Sequence, residues 1–134
     1  MTSIAVTDTH ALVWYAMGRR RKLGARARRV FEAADAGTAA IWVPVLVLVE
    51  VAELARRGVL SLSGGFDGWA SGLFATGRFF PAELTLGVVS RAESLYGIAE
   101  RTDRLIAATA ASLGYPLLTR DARIREANVV PTIW

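Results

Sequence analysis

Ile41-Trp42-Val43-Pro44-Val45-Leu46-Val47-Leu48-Val49-Glu50-Val51-Ala52-Glu53-Leu54 is apolar throughout except for Glu50 and Glu53, with one proline inside it. Together with Ala39 and Ala40, the part up to Val43 reads as a strand without polar alternation, the pattern of a parallel-sheet strand buried on both faces. Pro44 opens a helix in its first turn, where a missing N–H costs nothing. That helix carries Glu50 and runs to Arg57, with Gly58 as its stop. A strand feeding directly into a helix is the repeating unit of an α/β fold. Glu50 needs a reason to lie in such a run, because an unpaired carboxylate taken out of water costs several kcal/mol unless it is neutral, paired or metal-bound.

The same unit recurs on either side. Ile4 to Thr7 is a short β-branched strand followed by Asp8 and a helix from Thr9 to Met17. Gly18 to Lys22 reads as a basic loop, and Gly24 to Ala36 resumes helical spacing until Gly37. Beyond Gly58, Ser61 to Gly77 is a glycine- and serine-rich loop with a weak helix around Phe66, Trp69, Leu73 and Phe74. Arg78 to Pro81 is predicted as an edge strand, since proline is poorly tolerated inside a sheet. A helix over Thr85 to Tyr96 follows. Thr102 then caps a helix with Asp103 in its first turn that ends at Gly114. Pro116 to Thr119 is a fourth strand, Asp121 to Glu126 a short helix, and Val129 to Trp134 a closing extended segment. Strands alternating with helices, without hairpin signals, predict a parallel sheet covered on both faces.

At 134 residues the chain is expected to form a single domain over 1–134, large enough to be stable without a disulfide or structural metal. Hydrophobic residues make up 53% before glycine is counted, above the roughly 45–50% of an ordinary soluble domain; some of that surface is expected to lie against a partner. No cysteine is present, which excludes thiolate nucleophiles and Cys-bound zinc and fits a cytoplasmic location. The N-terminus is expected to enter the first strand without a signal peptide, and the apolar run from Ala39 to Val49 is shorter than the roughly 18 residues of a membrane span. The formal charge is +4, carried by arginine at every basic position but Lys22. Arginine forks suit phosphates, so the balance permits a nucleic-acid partner.

Asp8 follows the first strand, Glu50 lies just under two turns into the helix after the second, and Asp121 follows the fourth. In an open α/β sheet ligands bind at the carboxyl ends of strands, where strand order reverses. Asp103 joins these acids if its helix begins on the same side. Singly, Asp8 and Asp121 read as turn or capping residues and Asp103 as a helix-dipole partner; jointly, converging carboxylates cannot all ionise without a cation between them. An all-oxygen set suits Mg²⁺ or Mn²⁺, which would polarise a phosphoryl group and activate water. His10, the single histidine, cannot supply the two imidazoles of a metal-free ribonuclease and reads as a satisfied polar residue. Neither a phosphate-binding Gly-x-x-x-x-Gly-Lys run nor a Gly-x-Gly-x-x-Gly turn is present.

Four segments resemble the PIN-domain ribonucleases, and within them the VapC toxins of type II toxin–antitoxin pairs. They are Thr7-Asp8-Thr9-His10-Ala11-Leu12-Val13-Trp14; Glu50 with Gly58 eight residues on; Asp103-Arg104-Leu105-Ile106-Ala107-Ala108-Thr109-Ala110; and Leu118-Thr119-Arg120-Asp121. A closing Ile133-Trp134 is similar too, so the resemblance covers nearly the whole chain. It implies a three-layer α/β/α PIN-like domain with a mainly parallel sheet of four to five strands. It also implies a Mg²⁺- or Mn²⁺-dependent endoribonuclease, dimeric and held inactive by a VapB-type antitoxin that inserts an Arg or Lys into the acidic cleft.

The family's acidic quartet falls on Asp8, Glu50, Asp103 and Asp121, as metal ligands and catalytic residues. Thr119 is a candidate partner of a carboxylate, and Arg104 and Arg120 are candidate contacts to substrate phosphates. Two departures matter: Glu100-Arg101-Thr102 precede Asp103 where relatives read Asp-Pro-x, making Glu100 the only further acid, and Pro44 with its valines leaves few hydroxyls at the second strand end. Trp14, Tyr15, Trp42, Trp69 and Phe74 are candidates for an antitoxin groove, and the basic run Arg19 to Lys22 for an RNA backbone. The acids alone also permit a phosphohydrolase acting on DNA or a small ester, and the fold alone a non-catalytic RNA- or protein-binding module.

Overall fold

The computed structural model describes residues 3–134. Five strands, β1 (Ser3–Thr7), β2 (Ala39–Pro44), β3 (Phe79–Ala82), β4 (Leu117–Leu118) and β5 (Thr132–Ile133), form one sheet in the order β3-β2-β1-β4-β5. Every pairing is parallel. Between them run α1 (Thr9–Ala16), α2 (Ala25–Asp35), α3 (Val45–Arg56), α4 (Gly65–Ala75), α5 (Leu86–Glu93), α6 (Arg101–Leu113) and α7 (Ala122–Ala127). The strand order runs outward from β1 to β3 and then returns to β4 on the other side of β1. Right-handed crossovers place the outward and returning helices on opposite faces, giving the expected three layers.

The central strands are apolar on both faces because both are covered. Val6, Ile41, Val43, Leu117 and Leu118 are fully buried in one contiguous core with Leu12, Phe31, Val47 and Val51. The α3 run is not buried all round. Val47 and Val51, four apart, face the core, while Val49 is 56% exposed and Glu53 is exposed. A helix buries a stripe, and a uniformly apolar sequence leaves the rest of that helix in solvent.

Several boundaries shift for local reasons. Pro44 lies at the end of β2, paired with Ala82, and caps α3 with φ −55° and ψ 140° instead of entering its first turn. Gly37 and Gly58 do follow α2 and α3, with φ of 83° and 74° that favour glycine. The basic loop contains a turn of 3₁₀ helix, Arg20–Lys22. It is pinned because Arg20 pairs with Asp35 at 2.9 Å, while the Tyr15 hydroxyl donates to the same carboxylate at 2.5 Å.

The glycine-rich stretch forms a full helix, α4, because Trp69, Leu73 and Phe74 share one face that packs on the core. The helix predicted to start at Thr102 begins at Arg101, capped by Glu100, whose carboxylate accepts from the Asp103 N–H at 2.7 Å. α5 stops at Glu93, three residues short of Tyr96. β3 occupies the sheet edge, where Pro81 removes no internal ladder bond. Among the described residues no helix is long and apolar enough to cross a membrane.

Candidate active site

The strand order reverses between β1 and β4, and Asp8 and Asp121 emerge just beyond these neighbouring strands. A cavity of about 400 Å³ opens there, lined by Asp8, Glu50, Glu100, Asp103 and Asp121 together with Thr9, His10, Trp14, Ile106, Arg120 and Trp134. The five acids arrive from four helices. Asp8 caps α1, accepting from the Ala11 N–H at 2.9 Å, and Asp121 caps α7, accepting from the N–H groups of Arg123 at 2.8 Å and Ile124 at 3.4 Å. Glu50 comes from α3, Asp103 from the first turn of α6, and Glu100 from its cap.

Two threonines orient the carboxylates. The buried Thr9 hydroxyl donates to Glu50 Oε1. Thr119, fully buried, accepts from the Asp121 N–H at 3.1 Å and hydrogen-bonds the Asp8 side chain. The hydroxyls that sequence reading found missing near Pro44 are therefore supplied by Thr9 and Thr119. Thr9 was overlooked because its partner lies 41 positions away; its only local signal was adjacency to Asp8.

The electrostatics are those of excess negative charge. Burial pushes the Asp8 carboxyl above its ordinary range and Asp121 adds repulsion, against the hydrogen bonds from Thr119 and Ala11 and the charge of His10. Asp103 is pushed up to about 6, first by burial and then by repulsion from Asp121, Glu100, Glu50 and Asp8. Glu100 goes the other way. Burial raises it, but hydrogen bonds from Asp103 and Thr102 and the charge of Arg101 outweigh that and leave it lowered. The ion pairs among the described residues, Arg20 with Asp35 and Arg28 with Glu32, involve none of these acids.

The donor set is all oxygen and its charge is unbalanced, which fits a hard divalent cation. No three acidic or histidine side chains among the described residues stand close enough to cage an ion directly. Mg²⁺ tolerates this, because it keeps several waters and is ordinarily held by one or two carboxylates with substrate phosphates.

The two candidate arginines separate. Arg120 lines the cavity, its guanidinium carbon 4.7 Å from the Trp14 ring centroid. Arg104 does not: its guanidinium donates to the carbonyls of Ile98 at 3.0 Å and Ala99 at 2.6 Å, bracing the loop before α6. The expectation that Arg104 contacts substrate is corrected accordingly. Consecutive helical residues point about 100° apart, so adjacency to Asp103 does not carry Arg104 into the cleft. His10 is exposed to solvent at the cavity wall, 5.6 Å from Trp14. Of the aromatic residues assigned to a partner groove, Trp14 is buried and lines the cavity, while Tyr15, Trp42, Trp69 and Phe74 pack partly against the core.

A family model described as PIN domain matches residues 5–130. No curated protein matches the sequence. Among solved structures, the chain is similar to VapBC2 from Rickettsia felis bound to a promoter DNA fragment, with TM-score 0.68, 15% identity and 96% of each chain covered. It is similar to DNA-bound VapBC from Salmonella typhimurium, with TM-score 0.65, 12% identity and coverage of 98% and 97%. A toxin–antitoxin complex from Klebsiella pneumoniae aligns at TM-score 0.58 and 23% identity, covering 87% and 86%. At these identities the likeness is one of fold.

Proposed function

Because the chain belongs to the PIN domain family, whose members are generally nucleases, we propose that it is a Mg²⁺- or Mn²⁺-dependent endoribonuclease and the toxin of a toxin–antitoxin pair. The observation that carries the catalytic part is the set of acids, Asp8, Glu50, Asp103 and Asp121, lining one cavity with no ion-pair partner among the described residues. Burial first, and then repulsion from the neighbouring acids, raises the Asp103 carboxyl, and such a site gains stability when a cation enters. A bound divalent ion supplies Lewis-acid polarisation of a phosphoryl oxygen and activation of water.

In this reading Asp8, Glu50, Asp103 and Asp121 would hold the hydrated ion, one or two of them directly and the others through its waters. Thr119 keeps Asp8 and Asp121 in register, because one hydroxyl serves both. Glu50, fixed by Thr9, orients the attacking water. Arg120 at the cavity wall attracts the phosphates that the acids would otherwise repel. The partner half of the reading rests on fold likeness to VapBC and other toxin–antitoxin complexes and on apolar side chains left in solvent, among them Val49 and Val59. We assign the chain a VapB-type antitoxin, a homodimeric state within the complex and a cytoplasmic location.

Asp8→Asn and Asp121→Asn should abolish cleavage while the fold survives, since each removes a repelling charge but keeps a capping oxygen. Cleavage of tRNA, rRNA, single-stranded DNA and simple phosphate esters, side by side with and without chelator, tests the substrate class. Parent-like RNA cleavage by either variant would refute the site, and preference for DNA or small esters would refute the ribonuclease reading.

A further inference from the structure

Beside the carboxylates, part of the cavity wall is a cluster centred on Trp14. Arg120 lies over its ring at 4.7 Å, Lys22 at 5.9 Å, and the Trp134 ring packs at 5.8 Å with a 60° tilt. Trp14 itself is 8% exposed, but Trp134 is only half-buried and lines the cavity. Neither Arg120 nor Lys22 is ion-paired among the described residues, and both are exposed.

The chain makes a specific provision for this wall. A Cβ built on Gly24 would lie 2.4 Å from the backbone carbon of Trp134 and 2.6 Å from its Cδ1. Gly24 has an ordinary φ of −62°, so glycine is needed there for close approach and not for an unusual backbone. The contact seats Trp134 against the N-terminal end of α2, with an indole surface left toward the cavity.

Trp134 keeps part of its ring open on an anionic cleft, while Trp14, against which it packs, carries two cations that are not ion-paired among the described residues. Single-stranded nucleic acid asks for this combination, because a base stacks on an aromatic face while neighbouring cations take the phosphate. We propose that Trp134, with Arg120 and Lys22, forms a nucleotide subsite beside the acidic centre, in which the Trp134 indole stacks a base of single-stranded RNA and the two cations hold the flanking phosphate. The inference rests on the ribonuclease reading, and it makes Trp134 a positioning residue that selects an unstacked base.

Binding is the readout, so that cleavage does not enter. In the Asp8→Asn protein, a short single-stranded RNA carrying a fluorescent purine analogue at each position in turn should show quenching at one position, where the indole stacks. Adding Trp134→Ala should abolish that quenching and weaken binding about tenfold, and Trp134→Phe should restore most of the affinity. Gly24→Ala should weaken binding in the same direction by displacing Trp134. Arg120→Gln should reduce the slope of log affinity against log salt by about 0.7.

If Trp134→Ala fails to fold, quenching in the Asp8→Asn protein decides the matter alone. No quenching at any position, or equal affinity for the parent and a folded Trp134→Ala variant, would overturn the subsite while leaving the ribonuclease reading intact. No RNA binding by the Asp8→Asn protein would overturn that reading and the subsite with it.

Discussion

Replacing Asp103 by asparagine should make the metal-free protein more stable, not less. The Asp103 carboxyl moves from an ordinary 3.8 to about 6 in the folded protein, so the fold disfavours its charge. Between these values the folded state holds more protons than the unfolded one, and stability therefore falls as pH rises from 3.8 to about 6 and stays low above that. The full displacement corresponds to a ceiling of about 3 kcal/mol. The carboxylate is only half-buried, and solvent screening reduces this to about 1–2 kcal/mol.

Asparagine keeps the shape and removes the charge. Urea unfolding in chelator should show Asp103→Asn more stable than the parent by about 1–2 kcal/mol near neutral pH, or roughly 3–8 °C in Tm. The difference should vanish below the ordinary carboxylate pKa. Asp8, also raised, gives both proteins a residual slope of the same sign, so the quantity to follow is the difference between them. Saturating Mg²⁺ should remove the variant's advantage by relieving repulsion in the parent. A variant less stable than the parent near neutral pH, or a difference that does not change with pH, would mean that Asp103 is a structural hydrogen-bonding residue and would refute the repulsion argument.

Three further outcomes follow from particular contacts. Thr9→Val removes the donor that holds Glu50 and should lower RNA cleavage about tenfold while costing about 1–2 kcal/mol of stability; unchanged turnover in single-turnover kinetics would detach Glu50 from the chemistry. Arg104→Ala strips two carbonyls of their donor and should destabilise by about 1–3 kcal/mol without altering the salt dependence of RNA binding, and a reduced salt slope would place Arg104 on a phosphate after all. Mg²⁺ at about a hundred times its dissociation constant should add about 2.7 kcal/mol to the parent in thermal or urea unfolding and much less to Asp8→Asn; equal gains in both would remove Asp8 from the ion's ligands.

The layer architecture was legible because it is written in local patterns. Ala39 to Val43 lacks the alternation of a half-exposed strand, Pro81 fits only an edge, and Gly37 and Gly58 stand where helices end with φ of 83° and 74°. The acids were legible for a related reason: parallel strands deliver whatever follows them to one edge of the sheet, so Asp8 and Asp121 had to meet once β1 and β4 were neighbours.

What escaped depends on contacts that no window of sequence contains. Thr9 reaches Glu50 across 41 positions, and Trp134 reaches Gly24 across most of the chain. Arg104 misled because closeness along a helix was read as closeness in space. Glu50 stands in an apolar run that suggests burial, whereas α3 buries one stripe and leaves Glu50 half-exposed beside the cleft.

The mundane and functional readings of the acids are the same fact seen from two oxygens. Asp121 accepts both backbone hydrogen bonds of its cap at Oδ1, and Asp8 accepts the Ala11 N–H at Oδ1. A carboxylate has a second oxygen, and an ion can use it without uncapping the helix. Capping gives each aspartate a defined rotamer, and N–H dipoles offset part of the repulsion that burial and like charge create. Glu100 does this for α6 by accepting from the Asp103 N–H, so one acid of the cavity fixes the backbone of a neighbouring acid. The fold can therefore hold several carboxylates around one cavity before any cation arrives, because the helices that need their caps are the same helices that carry the site.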